Sequence, residues 1–334
     1  MKYRAKTFST DGTIKYLFDV VGTDILSGRK REVSIESAFI DLPDRKDGKP
    51  RYILCLSSQK GCVYACLMCA NMREGYYGNL TASELNEQIG LILEQDGNLE
   101  KILQAGSVEY AFMGHGEPLF GNQVIKAIIE HEGKVKDTRF ALSTLGIPGT
   151  IRKLTKHELP YSLRLELFLH FSNDKLRNKW LVQNSFVNQL PELNIKQALD
   201  EAEEFMEKFG GKVTLNYTPI DRINNTDNNL QEIASLLEGR TRFYVKVMKP
   251  NLTSSLVYSW KGRSPGCSKD TRTHKVREFK EQLEKLGIEA TCFESKGTDI
   301  FAGCGMMRVR FRGEKGVFVT ESIPEANPAK VGLD

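Results

Sequence analysis

The stretch that decides the fold is Cys55-Leu-Ser-Ser-Gln-Lys-Gly-Cys62-Val-Tyr-Ala-Cys66-Leu-Met-Cys69, a run that holds four cysteines. The last three, Cys62, Cys66 and Cys69, follow the spacing C-x3-C-x2-C and supply three thiolates. A structural zinc ion normally has four protein ligands, and a 4Fe-4S cluster normally takes four cysteine thiolates. Three thiolates therefore predict a 4Fe-4S cluster with one iron left open to a small molecule.

Two other interpretations of these cysteines stay open. They could form a zinc knuckle with a distant fourth ligand, or they could be three unrelated core cysteines. The tight spacing argues against unrelated cysteines, and the next candidate ligand, Cys267, lies far along the chain. An open iron favours a radical S-adenosylmethionine (SAM) enzyme, in which the iron chelates SAM and delivers the electron that cleaves it to a 5′-deoxyadenosyl radical.

Composition sets broad limits on the class of protein. The chain has 334 residues, of which 40% are hydrophobic and 27% charged, and its net charge is +4. Such a small positive surplus permits an RNA partner without requiring one. No apolar run is long enough for a membrane span, and the first residues lack the apolar core of a signal peptide. Seven cysteines, three of them clustered, fit a reducing cytoplasm better than a disulfide scaffold.

Short apolar strands alternate with amphipathic helices along most of the chain, which is typical of a parallel α/β architecture. The capping box Thr81-Ala-Ser-Glu84 predicts a helix that extends to about Gln95. Six strands are predicted, over Tyr52–Ser57, Val108–Met113, Arg139–Thr144, Ser162–His170, Lys212–Pro219 and Phe243–Met248. Further helices are predicted over Asn122–His131, Ile147–Thr155, Ile195–Phe209, Asn228–Leu237 and Asp270–Leu286.

These elements predict a partial (β/α)6 barrel over residues 51–305, with polar and cysteine residues directly after the strands, where barrel enzymes build their active sites. Residues 1–50 are expected to form a small β-rich extension. Residues 306–334 are expected to contain a β hairpin, with strands over Met307–Phe311 and Val317–Thr320, and a tail.

The motif Gly114-His115-Gly116-Glu117-Pro118 follows the second predicted strand. Its two glycines allow a ligand to approach the backbone closely, and Glu117 can accept hydrogen bonds from an ammonium group such as that of SAM. An ordinary turn would also explain the motif by itself.

Three further polar positions follow other strands. Ser143 and the run Phe168-Leu169-His170 could hold SAM, although a helix cap and a core histidine are simpler explanations. Asn251 could bond an adenine or ribose edge, or serve only as a turn residue after Pro250.

Two isolated cysteines differ in their sequence surroundings. Cys304 lies between two glycines, which is typical of a thiol that must reach a partner, and the residues leave a structural role equally open. Cys292 has strand-like neighbours and is predicted to be a core residue.

These motifs together resemble the radical SAM ribosomal RNA adenine methyltransferases, the RlmN/Cfr family, over about residues 13–305. The resemblance depends on Cys-x-Ser-Ser-Gln-x-Gly-Cys, Gly-x-Gly-Glu-Pro, Ser-Thr-x-Gly-Ile, Leu-His, Ile-Asp-x-x-Asn-x-Thr-Asp and Asp-Ile-x-x-x-Cys-Gly, which occur here in the family's order. It implies methylation of an adenine carbon (C2 or C8) of ribosomal or transfer RNA. Two SAM molecules per turnover and a flavodoxin-type electron donor are implied as well.

The resemblance also implies a role for each matching residue. Cys304 would first receive a methyl group from one SAM, and Cys55 would release the RNA–protein crosslink by forming a disulfide with Cys304. Glu36 would be the proton acceptor. The cluster ligands would be Cys62, Cys66 and Cys69, and the SAM-binding positions would be Gly116, Glu117, Ser143, Phe168, Leu169, His170 and Asn251.

The chain departs from the family pattern at several positions. His115 stands where the family has methionine, and Phe168 stands where it has serine. The family's N-terminal helical domain, which helps to bind RNA, is expected to be missing, since the chain begins where that domain would end. Two basic groups are candidate RNA contacts instead, namely Arg29-Lys30-Arg31 and the three arginines Arg308, Arg310 and Arg312.

Two alternative functions follow from these departures. The first is the same chemistry on a non-ribosomal substrate, such as a small molecule or a peptide. The second is a non-catalytic iron–sulfur or zinc protein, against which the retained Cys55, Cys304 and Gly-Glu-Pro turn argue.

Overall fold

The structure is a computed structural model that describes residues 1–42, 48, 50–69, 71, 75–182, 190–249, 269–293 and 295–300. Its strands are β1 Lys2–Phe8, β2 Ile14–Thr23, β3 Lys30–Leu42, β4 Arg51–Cys55, β5 Gln59–Gly61, β6 Tyr76–Asn79, β7 Ser107–Phe112, β8 Asp137–Thr144, β9 Leu163–Phe168, β10 Val213–Tyr217, β11 Phe243–Met248 and β12 Ala290–Phe293. Its helices are α1 Ala82–Leu93, α2 Asn98–Ala105, α3 Gln123–His131, α4 Thr150–Leu154, α5 Asp174–Leu181, α6 Ile195–Phe209, α7 Asp227–Leu237 and α8 Lys269–Lys285. A short 3-10 turn covers Thr298–Ile300.

One large sheet organises the fold. It has the strand order β1-β2-β3-β4-β7-β8-β9-β10-β11-β12, and β5 pairs with β6 in a separate sheet. The strands β1 to β4 are antiparallel neighbours. Every neighbouring pair from β4 to β12 is parallel. The predicted α/β class with a mostly parallel sheet is therefore confirmed, with a seventh parallel strand, β12, beyond the six that were predicted.

Helices pack against the parallel strands, and two of these strands are buried along their whole length. Every residue of β7 and of β10 is buried, which is the pattern of strands with both faces covered. The predicted capping box begins α1, since Thr81 accepts a hydrogen bond from the backbone of Glu84, whose side chain bonds back. Leu85, Ile89 and Ile92 then bury one face of that helix.

One prediction is wrong, and another concerns residues that the structure does not describe. Cys292 is not a core residue, since its side chain is exposed on β12, where only Ala290 is buried. The strand-like neighbours of Cys292 suggested burial, but among the described strands β12 lies at the edge of the sheet and pairs only with β11. The expected C-terminal hairpin lies outside the described residues. None of the described helices is long and apolar enough to cross a bilayer.

Candidate active site

Parallel strands bring the sequence motifs to one edge of the sheet. Cys55 ends β4, the Gly114–Pro118 turn follows β7, Ser143 lies near the end of β8, and Phe168 ends β9. Because β4, β7, β8 and β9 are consecutive parallel neighbours, their carboxyl ends lie side by side. The structure thus brings together the polar positions that the sequence predicted.

The Gly114–Pro118 turn packs against the backbone that follows β4. A Cβ atom on Gly114 would lie 2.6 Å from the carbonyl oxygen of Leu56, so only glycine fits there. Gly116 has φ +103°, and a Cβ atom would lie 2.5 Å from Cβ of Gln59. The carbonyl of His115 accepts a hydrogen bond of 2.7 Å from the backbone of Ser58. The two glycines therefore serve a close approach between two loops, not merely a turn.

Glu117 is the carboxylate that this turn presents. Its side chain is buried and accepts hydrogen bonds from Thr144 Oγ1 (2.5 Å), the Leu145 backbone N–H (2.8 Å) and the Leu119 backbone N–H (3.2 Å). Burial raises the pKa of Glu117 to about 7, although these hydrogen bonds and Arg177 act in the opposite direction. A cationic group that entered the site would restore the ionised carboxylate.

Gln59 is a site residue that sequence reasoning did not single out. Its Oε1 accepts from the Val63 N–H (3.0 Å) in the cysteine loop and from the Glu117 N–H (3.1 Å) in the turn. Its Nε2 donates to Asn79 Oδ1 (2.8 Å) on β6. One amide side chain therefore fixes the cysteine loop relative to Glu117. Its place in the Ser-Ser-Gln motif was the available signal.

The three clustered cysteines are half-buried and close enough to influence one another. Burial raises the pKa of Cys62 well above its ordinary value, and the charges of Cys66 and Cys69 raise it further. Cys66 Sγ donates to the Leu181 carbonyl (3.2 Å), and Cys69 Sγ accepts from the Asn71 backbone N–H (3.4 Å). Three thiolates in such a site require a cationic group to stabilise them.

The cysteine loop supplies three thiol groups as potential ligands of a metal centre. Among the described residues, no three metal-ligating side chains are gathered tightly enough to hold a single metal ion. The three thiols are half-buried and influence one another electrostatically, and three thiolates are a donor set that would hold a 4Fe-4S cluster with one iron left open.

Glu36 and Cys55 lie together on one face of the sheet. Glu36 is fully buried on β3, and its Oε2 lies 2.9 Å from Lys15 Nζ and 3.9 Å from His115 Nε2. Burial raises the pKa of the Cys55 thiol, Lys15 lowers it and Glu36 raises it. Within the part of the chain that the structure describes, Cys55 is a free thiol. The expected proton acceptor and the expected releasing thiol are therefore within electrostatic range of each other.

The end of β9 provides the aromatic side of the site. His170 is buried, stacks on Phe168 with ring centroids 5.3 Å apart, and has φ +53°, a strained conformation for a residue with a side chain. Burial, with a smaller contribution from Arg177, lowers the pKa of His170 to about 3. The imidazole is therefore neutral at physiological pH. Leu169, which lies between these two residues in the sequence, is also buried.

Arg177 on α5 is a second residue that sequence reasoning missed. It is fully buried, and it donates to three backbone carbonyls, those of Leu169 (3.1 Å), Phe168 (2.9 Å) and Leu145 (2.5 Å). Burial lowers the pKa of Arg177 to about 10. The guanidinium thus joins the ends of β8 and β9. The signal for α5 was Asn173, which caps the helix by accepting from the Leu176 N–H.

Several buried polar atoms around this edge fit a polar cofactor. Within the described part of the chain, hydrogen-bond partners are lacking for Tyr64 Oη, Ser143 Oγ, His170 Nδ1 and Arg177 Nη1. Since buried polar atoms normally have partners, these atoms suit a ligand with many polar groups, such as SAM. Ser143 is not a helix cap, because α4 begins after Gly149. Asn251 and Cys304 lie outside the described residues.

Comparison with known proteins places the chain among RNA methyltransferases. It is 30% identical to the dual-specificity RNA methyltransferase RlmN of Campylobacter hominis over 320 residues, which cover 92% of this chain and 80% of that protein. It is 29% identical to RlmN of Helicobacter hepaticus over 319 residues, 92% of this chain and 78% of that protein. No protein-family model matches.

A solved structure shows the same likeness. The crystal structure of a radical SAM methyltransferase from Sphaerobacter thermophilus matches with a TM-score of 0.68 and 26% sequence identity, over 91% of this chain and 80% of that one. The similarity therefore extends across the parallel sheet and the strand ends that carry the site.

Proposed function

The chain belongs to the family of dual-specificity RNA methyltransferases named RlmN, and from this membership we propose that it is a radical SAM enzyme that methylates carbon C2 or C8 of an adenine in RNA. Cys62, Cys66 and Cys69 would hold the 4Fe-4S cluster. The residues that would hold SAM are Gly116, Glu117, Ser143, Phe168, Leu169, His170 and Asn251. When bound, the cluster and SAM supply the electron, the methyl group and the 5′-deoxyadenosyl radical.

The observation that carries this proposal is the position of Cys55 and Glu36. They lie on one sheet face, next to the turn that presents Glu117 and to the cysteine loop. They are the two groups required to release a base from a thioether and to remove its proton.

The electron-poor character of the target carbon explains why the reaction requires thiols. C2 and C8 of adenine are electron-poor amidine carbons. A methyl group transferred directly from SAM needs a nucleophile as its acceptor, and such carbons are not nucleophilic. Cys304 would carry the methyl group as a thioether, whose carbon joins the base. The cluster would supply the acceptor for the unpaired electron that this addition leaves on the base. The Cys55 thiolate then attacks Cys304 sulfur, so that an S–S bond forms and the S–C bond breaks, and the methylene carbon takes the electron pair and a proton from solvent to become the methyl group. Glu36 accepts the proton that leaves the target carbon.

The hairpin of β2 and β3 offers a surface for RNA. Arg29, Lys30 and Arg31 are exposed there, and the guanidinium of Arg31 lies 5.5 Å from the ring centre of Tyr77. Leu26 at the tip of the hairpin is also exposed. Cationic side chains beside apolar ones suit both the phosphates and the unstacked bases of RNA.

The test is intact mass spectrometry of Cys55→Ala, purified without oxygen and digested with nuclease. We expect a nucleotide remnant on Cys304, because the crosslink forms but is not released. Cys304→Ala should keep its iron content and lose methyl transfer. Methylated RNA from Cys304→Ala would overturn the thioether mechanism, and a bare Cys304 in Cys55→Ala would shift the substrate away from the RNA of the expression host.

A further inference from the structure

Glu166, Asn216 and Lys246 form a polar group on the neighbouring strands β9, β10 and β11. Glu166 is 3% exposed and Asn216 is 1% exposed. Lys246 Nζ lies 3.0 Å from each carboxylate oxygen of Glu166, and Asn216 Nδ2 donates to Glu166 Oε2 (3.0 Å). None of the three is among the SAM-binding positions that the family resemblance implies, so their role is open.

Strand register places this group on the sheet face that carries the candidate site. Ser143 pairs with Glu166, Phe168 pairs with Asn216, and Asn216 pairs with Lys246. Paired residues of neighbouring strands point to the same face, and so do residues two apart in one strand, such as Glu166 and Phe168. The polar group therefore lies beside the two positions on β8 and β9 that are proposed to hold SAM.

The ion pair fixes which way the Asn216 amide is turned. Burial opposes ionisation of Glu166, but the charge of Lys246 and the hydrogen bonds from Asn216 and Lys246 lower its pKa below the ordinary value. An ionised carboxylate only accepts hydrogen bonds, so Asn216 must direct its Nδ2 donor towards Glu166. Its Oδ1 acceptor is then left over. In the described part of the chain this buried oxygen has no hydrogen-bond partner.

A buried acceptor of this kind calls for a ligand that donates a hydrogen bond. The donors of SAM are its ammonium group, two ribose hydroxyls and the amino group of adenine. Glu117 is the proposed partner of the ammonium group, which leaves the donors of the adenosine half. The backbone ties Asn216 to the same region, since the His170 N–H donates to the Asn216 carbonyl (3.1 Å).

We propose that Asn216 is a further SAM-binding residue, whose Oδ1 accepts a hydrogen bond from a ribose hydroxyl or the amino group of the adenosine half. Glu166 and Lys246 act through Asn216 and are positioning residues. This inference rests on the proposed function. The target nucleotide in RNA also contains adenosine, but the pairing of Asn216 with Phe168 and its bond to His170 favour SAM.

The test measures the Kd of S-adenosylhomocysteine by calorimetric titration of the cluster-loaded protein without oxygen. Its 2′-deoxy, 3′-deoxy and N6-dimethyl analogues each lack one donor of the adenosine half. We expect wild type to bind one of these analogues about 5- to 100-fold more weakly than S-adenosylhomocysteine, because the buried acceptor is then left unpaired. Asn216→Leu should bind S-adenosylhomocysteine more weakly by a similar factor and no longer discriminate against that analogue.

Asn98→Leu is the matched control. Asn98 is also fully buried, and its Oδ1 also lacks a partner among the described residues, but it lies on α2 and donates to Tyr16 Oη (2.8 Å). This control should bind S-adenosylhomocysteine and its analogues as wild type does. Asn216→Ala provides the same comparison if the leucine variant does not fold.

Two results would overturn the role of Asn216. One is wild-type protein that binds all three analogues as tightly as S-adenosylhomocysteine. The other is a folded Asn216 variant with the wild-type Kd, and loss of RNA methylation in that variant would then assign the residue to the RNA. Failure of the proposed function would look different, since the cluster-loaded wild type would bind neither SAM nor S-adenosylhomocysteine.

Discussion

The buried ion pair between Lys15 and Glu36 makes a quantitative prediction for Lys15→Met. The side chains of the pair are 3% and 0% exposed, and their charged atoms are 2.9 Å apart. Removal of one partner of a buried ion pair costs about 3–5 kcal/mol. Proteins gain about 2.1 cal/mol/K of entropy per residue on unfolding, so a chain of 334 residues loses about 1 °C of Tm per 0.7 kcal/mol. We therefore expect Tm to fall by about 4–7 °C.

The assay is differential scanning calorimetry of the cluster-loaded enzyme without oxygen, and it includes the double variant Lys15→Met/Glu36→Gln. Because the double variant buries neither charge, it should recover at least half of the lost Tm. Lys6→Met is the matched control. Lys6 pairs with Asp96 at 2.5 Å, but both side chains are partly exposed, so solvent screening should limit the loss to about 1 kcal/mol or less.

Two results would refute this reasoning. One is a Tm for Lys15→Met within 1 °C of that of Lys6→Met, which would mean that the buried pair is solvated or dispensable. The other is a double variant whose loss equals the sum of the two single losses, which would mean that Lys15 and Glu36 stabilise the fold independently.

Two further predictions concern the Gly114–Pro118 turn. Gly114→Ala should abolish SAM binding, measured by calorimetric titration, because the new Cβ would lie 2.6 Å from the Leu56 carbonyl oxygen. The control is Gly90→Ala, at a helical position where a Cβ would have no atom within 4 Å. This variant should bind SAM normally and gain about 1 kcal/mol of stability. The free energy of unfolding of the SAM-free enzyme should fall as the pH rises from about 4.5 to 7. The folded state binds more protons than the unfolded state in that window, because burial raises the pKa of Glu117 from 4.5 to about 7, and the fall should not exceed about 3 kcal/mol. Glu117→Gln should remove this slope, and a variant that kept it would assign the slope to another group.

Local patterns predicted most of the elements well. The strand predicted over Phe243–Met248 and the helix predicted over Ile195–Phe209 have the observed bounds. These segments have a clear hydrophobic period of two or of 3.6 residues, and their burial follows it. The helix predicted over Ile147–Thr155 is shorter, Thr150–Leu154, because Gly149 with φ +80° begins it.

The elements that sequence reasoning missed have weaker local signals. The strand β1 is half-exposed and, among the described strands, pairs only with β2, so its apolar pattern is weak. The helix α2 is eight residues long and has no side-chain cap. The helix α5 has a very low mean hydropathy, because Asp174, Lys175, Arg177, Asn178 and Lys179 dominate it. Its burial depends on partners elsewhere in the chain.

The spacing of Cys62, Cys66 and Cys69 and the order of the strand-end motifs were determined by the sequence alone, and with them the α/β class and the family. Such features depend on residues a few positions apart, whose relation is set by the local backbone. The tertiary structure alone decided that Lys15, Glu36 and His115 meet at one carboxylate oxygen, and that Arg177 joins the ends of two strands. These contacts join residues far apart in the chain. A buried charge is stable only where strand register and packing bring an oppositely charged group next to it. The local sequence around either residue does not show that the two groups lie close together.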